Sequence, residues 1–161
     1  MRPIYALVFA AVLPGLATAQ AAATDTGTGS SEAVPEAAPA FGPQVATKVV
    51  FDDQLYLKRP IVVFADSPND PNFVQQMELL AREYDQLAER DVILVTDTDP
   101  AGRSEWRLKL RPRGFSLVIM DKDLRPVVRK PLPWDVREIT HAIDKMPLRR
   151  TEILEQNPAG R

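Results

Sequence analysis

The sequence predicts an α/β domain whose elements run strand, helix, strand, helix, hairpin and helix, and three observations carry that prediction. Ile61-Val62-Val63-Phe64-Ala65 and Val92-Ile93-Leu94-Val95 are short unbroken apolar runs, the pattern of strands buried on both faces. Between them Phe73, Met77, Leu80, Tyr84 and Leu87 recur at helical spacing. Beyond them, Phe115–Met120 and Pro126–Arg129 flank Asp121-Lys122-Asp123-Leu124, whose turn chemistry and short length argue for a hairpin.

The chain opens with the pattern of an export signal. Arg2 supplies a positive n-region, Ile4–Leu16 is a thirteen-residue apolar stretch broken only by Pro14 and Gly15, and Ala17-Thr18-Ala19 is a small-x-small cleavage site. A spanning helix wants roughly 20 apolar residues, so residues 1–19 read as a signal peptide cut after Ala19 rather than as an anchor. No cysteine follows to be acylated, which removes the lipoprotein route. The expectation is a secreted or periplasmic protein with no stable membrane insertion after cleavage.

Residues 20–47 are rich in Ala, Thr, Gly, Ser and Pro, carry only Asp25, Glu32 and Glu36 as charges, and lack apolar periodicity. Such a segment buries too little surface to offset its ordering entropy, so it is expected to be a disordered tether. The globular composition begins at Lys48, and residues 48–153 are read as one domain, with a flexible tail over 154–161.

Within the domain each element has its own signal. Pro60 and Asp66-Ser67-Pro68-Asn69 bound the first strand. Asp70 is placed to cap the first helix, with Pro71 at its first position. Asp97-Thr98-Asp99-Pro100-Ala101-Gly102 ends the second strand as a loop. Arg103–Leu110 reads as a short helix ended before Pro112, with Trp106 and Leu110 on its apolar side. Val136, Ile139, Ile143 and Met146 define the last helix, which Pro147 is expected to stop. Trp134, just before it, is expected in the core.

Composition excludes several functions. There is no cysteine, so the chain performs no thiol or disulfide chemistry. One histidine, His141, lies about 200° around its helix from the core side, as a solvated residue would. One nitrogen ligand is too few for zinc, and there is no Gly-x-Ser-x-Gly elbow for a serine triad or Gly-x-x-x-x-Gly-Lys loop for phosphates. No cofactor is expected. From Lys48 onward nineteen bases balance nineteen acids, but their distribution is uneven. Asp70–Asp91 holds six acids against Arg82 and Arg90, whereas Arg103–Lys130 holds nine bases against Glu105, Asp121 and Asp123.

The element order resembles the thioredoxin fold, in which two parallel strands adjoin an antiparallel hairpin in a mixed sheet of about four strands, with helices on both faces. That resemblance places the first and last helices on one face and the middle helix on the other. Within it, Arg59-Pro60-Ile61-Val62-Val63-Phe64-Ala65, Gly114-Phe115-Ser116-Leu117-Val118 and Ile143-Asp144-Lys145-Met146-Pro147-Leu148-Arg149-Arg150 look like the bacterial family numbered 4174 among domains of unknown function, over about residues 50–153. Similar domains occur in larger animal extracellular matrix proteins, where they are described as related to peroxiredoxins. The resemblance implies a fold and an envelope or extracellular address, without a reaction. In thioredoxins the two cysteines stand just after the first strand, where Asn69 and Asn72 stand here, and neither Asn is a redox nucleophile. Arg113-Gly114-Phe115 occupies the loop that carries a proline in thioredoxins, with Pro112 slightly upstream.

Two sets of candidate site residues remain. Asp66, Asp97 and Asp99 lie at the carboxyl ends of the two parallel strands, where α/β sheets hold ligands, and offer hard oxygens to a divalent metal. Asp before Pro is equally ordinary turn chemistry. Arg103, Arg107 and Arg111 are candidate contacts for an anionic partner, or the wet face of a short helix. Export takes nucleic acid out of consideration and leaves an envelope protein or an anionic polymer. The reading is therefore a non-redox binding or accessory module. Its rivals are a metal-dependent enzyme built on the aspartates, and an escort for a redox partner that supplies the thiols.

Overall fold

The computed structural model describes residues 41–157; the expected signal peptide, the tether up to residue 40 and the last four residues of the tail lie outside the described residues. A five-stranded open mixed sheet forms the centre, ordered β1-β3-β2-β4-β5. The strands are β1 (Pro43–Val45), β2 (Arg59–Phe64), β3 (Val92–Asp97), β4 (Ser116–Met120) and β5 (Pro126–Lys130). β3 is parallel to both β1 and β2, and β4 is antiparallel to β2 and to β5. The fifth strand corrects the expected count of about four. Pro43–Val45, read as tether, pairs with Leu94, Val95 and Thr96 of β3. Three exposed residues leave no alternating apolar pattern to read, and the pairing is made by backbone.

All six residues of β2 are buried, as its unbroken apolar run requires. A proline in so central a strand is tolerable because of where it falls. Arg59 and Ala65 donate their amides toward β3, so the intervening even-numbered positions face β4, and pairing with β4 begins only at Ile61. The N–H that Pro60 lacks would have met no ladder partner.

Side chains alternate across β2 and so build two cores. Ile61 and Val63 join Leu94, Leu117 and Ile119 under Leu80 of α1 (Pro71–Ala81), Leu87 of α2 (Tyr84–Ala88), and Val136, Ile139 and Ile143 of α4 (Val136–Asp144). Val62 and Phe64 join Val95, Val118 and Met120 under Trp106 and Leu110 of α3 (Glu105–Leu110), together with Ala46, Val49 and Phe51. The indole nitrogen of fully buried Trp106 donates to the Val49 carbonyl at 2.7 Å, so the polar end of the ring is satisfied as well as the apolar body. Acidic α1–α2 and basic α3 therefore occupy opposite faces.

Two boundaries differ from the sequence reading. The first helical repeat divides at Arg82–Glu83 into α1 and α2, where Glu83 has φ −141° and ψ 43°. Asp70 caps α1 as expected, accepting from the amides of Asn72 at 2.8 Å and Phe73 at 3.3 Å. Pro147 ends α4 but also starts α5 (Pro147–Gln156), a helix the sequence reading omitted. Proline suits a first helical position because its amide would be unpaired there anyway. Trp134 is half-buried against the α1–α4 core, with the Lys130 ammonium 4.3 Å from its ring centroid.

α5 contributes little apolar burial; Arg149 is its one buried residue, and Leu154 is exposed. Ion pairs hold it instead. Fully buried Arg59 donates to Asp121 at 3.2 Å, to the Arg90 carbonyl at 2.9 Å and to Glu152 of α5 at 2.7 Å. Lys122 lies 2.9 Å from both Glu152 and Asp91, and Arg90 grips Asp144 with two bonds of 2.9 Å. Arg59, Asp144 and Arg149, from the first and last segments that carry the family resemblance, thus belong to one network.

Candidate functional site: a basic cleft beside the third helix

The aspartates do not assemble a cation site. At the carboxyl ends of β2 and β3 the central charge is already a cation, Arg107 of α3. Its guanidinium donates to the Asp97 carboxylate from Nε at 3.2 Å and Nη2 at 3.1 Å, and Nη2 also reaches the carbonyls of Ala65 at 2.7 Å and Asp97 at 3.1 Å. The Ser104 hydroxyl donates to the same carboxylate while accepting from the Arg107 amide as the cap of α3. Asp66 is largely exposed, 3.8 Å from Arg107, and Asp99 accepts from the Ala101 amide in an ordinary turn. Among the described residues no three His, Cys, Asp or Glu side chains are grouped to hold a metal ion. The metal alternative is corrected accordingly, since Asp97 is bound to Arg107 rather than free to ligate.

The same geometry removes Arg107 from the candidate contacts. It is mostly buried and its ring of acceptors is internal, so it ties the ends of β2 and β3 to α3. Its guanidinium carbon also lies 5.5 Å from the Phe64 ring centroid, a stacking that favours the planar arginine over lysine. Arg103 is exposed in the loop before α3. Of the three candidates, Arg111 lines a cavity.

That cavity is a cleft of about 340 Å³ lined by Arg111, Arg113, Phe115, Ser116, Arg129, Lys130 and Pro131. The fold explains its position. Val118 lies on the α3 face of β4, and its register partner Arg129 shares that face because paired antiparallel residues point the same way. α3 is only six residues long, and its apolar side covers β2, β3 and β4 through Trp106 and Leu110. The chain leaves it through Arg111, whose φ of 48° makes a left-handed cap with its amide on the Arg107 carbonyl, and turns again at Gly114, φ 59°. These two left-handed residues bring Arg111 and Arg113 alongside the end of β5. Among the described residues Arg111, Arg113, Arg129 and Lys130 make no ion pair.

Sequence reasoning counted Arg113, Arg129 and Lys130 among the clustered bases without assigning them to a site. The signal that could have found them is the hairpin register, which folds Arg129 back toward the segment before β4. The stretch after β2, compared above with the thioredoxin cysteines, is occupied by a helix cap. Asn69 and Asn72 flank Asp70, whose carboxylate holds the first amides of α1, so the positive end of that helix has its own anion. His141 is exposed on α4, as expected.

The family described as Domain of unknown function (DUF4174) matches residues 52–152, which include every lining residue of the cleft and the whole ion network around Arg59. No curated protein matches the chain.

Proposed function

We propose, from the premise that this chain belongs to the DUF4174 family, that it is an exported, redox-inactive binding module of thioredoxin-like topology that engages an anionic partner through the cleft of Arg111, Arg113 and Arg129. The thioredoxin-like reading is supported by two parallel strands beside an antiparallel hairpin and by α1 and α4 facing α3 across the sheet. Export is supported by the Arg2, Ile4–Leu16, Ala17-Thr18-Ala19 pattern, and the loss of redox chemistry by the absence of cysteine.

The observation that carries the binding reading is three arginines, Arg111, Arg113 and Arg129, around one concavity with no acid paired to them among the described residues. At the opposite pole of this domain, around Glu152, the cations are instead paired with acids. The carrying experiment uses a column. With a formal net charge of −2 the chain has no bulk attraction to an anionic matrix. Retention at low salt that falls as NaCl rises, and disappears when Arg111, Arg113 and Arg129 are all replaced by Glu, is the expected result. Retention that survives those replacements would rule the cleft out. Export is checked separately by mass spectrometry of the protein recovered from outside the cytoplasm, which should begin at Gln20.

A further inference from the structure

Resting on that reading of the cleft, we infer that its ligand is a phosphate monoester carrying a small apolar body, rather than a carboxylate. Three features of the lining point there. First, a carboxylate brings one charge and two oxygens, which a single arginine fork satisfies, whereas a phosphate monoester brings nearly two charges and three strong acceptor oxygens. Arg111 and Arg113 approach from the exit of α3 and Arg129 from the end of β5, so donors arrive from two separate elements. That arrangement suits an acceptor with oxygens pointing in several directions.

Second, Ser116 lies on the cleft wall with its side chain largely buried, and it makes no side-chain hydrogen bond to the described residues. It pairs with Phe64 and lies on the α3 face, as Arg129 does. A hydroxyl there supplies a neutral donor among the cations. Asp66 approaches the same loop near Gly114, but Arg107 stands 3.8 Å from its carboxylate, so its charge is partly compensated before it can oppose an incoming anion.

Third, about 340 Å³ is more than a bare phosphate fills and is at the small end of ligand cavities. Pro131 and the small exposed part of Phe115, which is otherwise packed into the α1–α4 core, complete the lining, so part of the remaining space is bordered by apolar surface. The ester substituent would lie against them, and the phosphate would lie among the arginines.

Isothermal titration of the full chain with inorganic phosphate, phenyl phosphate and benzoate, beside sedimentation with phosphatidylcholine vesicles with and without phosphatidic acid, tests the inference. Phenyl phosphate should bind about tenfold more tightly than benzoate, and also more tightly than inorganic phosphate, which lacks the apolar body. Arg113→Ala and Arg129→Ala should each weaken it by about tenfold, while Arg103→Ala, outside the cleft, should leave it unchanged. Far-ultraviolet circular dichroism confirms that the variants fold, as substitutions at exposed positions should.

Binding to soluble esters identifies a soluble ligand as the source of the phosphate, and binding confined to phosphatidic acid vesicles identifies a lipid headgroup. Both support the chemistry if the two arginine variants abolish them. Benzoate binding as tightly as phenyl phosphate would overturn the phosphate inference while leaving an anion-binding module intact. Binding of none of these probes, together with loss of column retention in the triple Glu variant, would likewise overturn the phosphate inference alone. Absence of both probe binding and column retention would overturn the two together.

Discussion

Gln76 is a polar residue with no exposed surface in the middle of a helix face that otherwise packs apolar side chains. Its amide nitrogen donates to the Trp134 carbonyl at 2.9 Å and its amide oxygen accepts from the Trp134 N–H at 2.7 Å, so one side chain completes both backbone groups of the loop before α4. Gln76→Leu keeps the volume and strands both groups, and should lower stability by about 2–3 kcal/mol in urea titration. Arg111 presents the opposite case, a side chain retained at a backbone cost. A left-handed conformation is unfavourable by about 1 kcal/mol for a residue with a Cβ, and glycine relieves it. Arg111→Gly should therefore raise the melting temperature while weakening retention on an anionic matrix. A drop in both would show that Arg111 is held there by packing rather than by a role in the cleft.

At the scale of elements, α5 is distinguished by being held through charge. Burial acts to raise the Glu152 pKa, but hydrogen bonds from Arg59 and Lys122, reinforced by their charges, outweigh it and bring the carboxyl from 4.5 down to about 2. A carboxylate depressed on folding stabilises the fold at pH values above its unfolded pKa and loses that contribution as pH falls through the folded value. Stability should consequently decline between about pH 4.5 and pH 2, by on the order of 2 kcal/mol once solvent screening is allowed for. Glu152→Gln should be less stable at neutral pH and show a flatter decline over that range. Asp91 and Asp144 are shifted in the same direction: burial raises each, and Lys122 or Arg90 more than compensates.

α5 also marks a limit of sequence reading. β2, α1, β3, the β4–β5 hairpin and α4 were legible because apolar spacing records burial directly. α5 has almost no apolar stripe to display, and its partners Arg59 and Lys122 are distant in the chain. β1 is held by backbone pairing, which no side-chain pattern reports. The candidate site was legible as chemistry but not as geometry. Arginines suited to anions could be named, yet Arg107 could not be told from Arg111 until its acceptors, Asp97 and the Ala65 carbonyl, were in place.

For the whole molecule, the charges at the carboxyl ends of β2 and β3 are compensated internally, and that makes a prediction. Where Arg107 closes the ends of β2 and β3, magnesium, calcium or zinc should not shift the melting temperature, whereas a ligand at 100 times its dissociation constant would add about 2.7 kcal/mol. Asp97→Asn should itself lower stability by about 3 kcal/mol, because it leaves a mostly buried guanidinium short of its anion. A metal-specific rise that Asp97→Asn abolishes would restore the aspartate site.

The pairing of Arg59 with Glu152 also bears on how the domain comes into being. Ninety-three positions separate the two residues, and the first belongs to the central strand. A chain emerging from the ribosome presents β2 early, but the guanidinium at its head acquires its full set of acceptors only when almost the last turn of α5 has been made. Closure of a loop that long is slow compared with local pairing. Nascent chains halted before Pro147 should thus remain protease-sensitive, and resistance should arise late and abruptly, with the final ten or so residues of the domain.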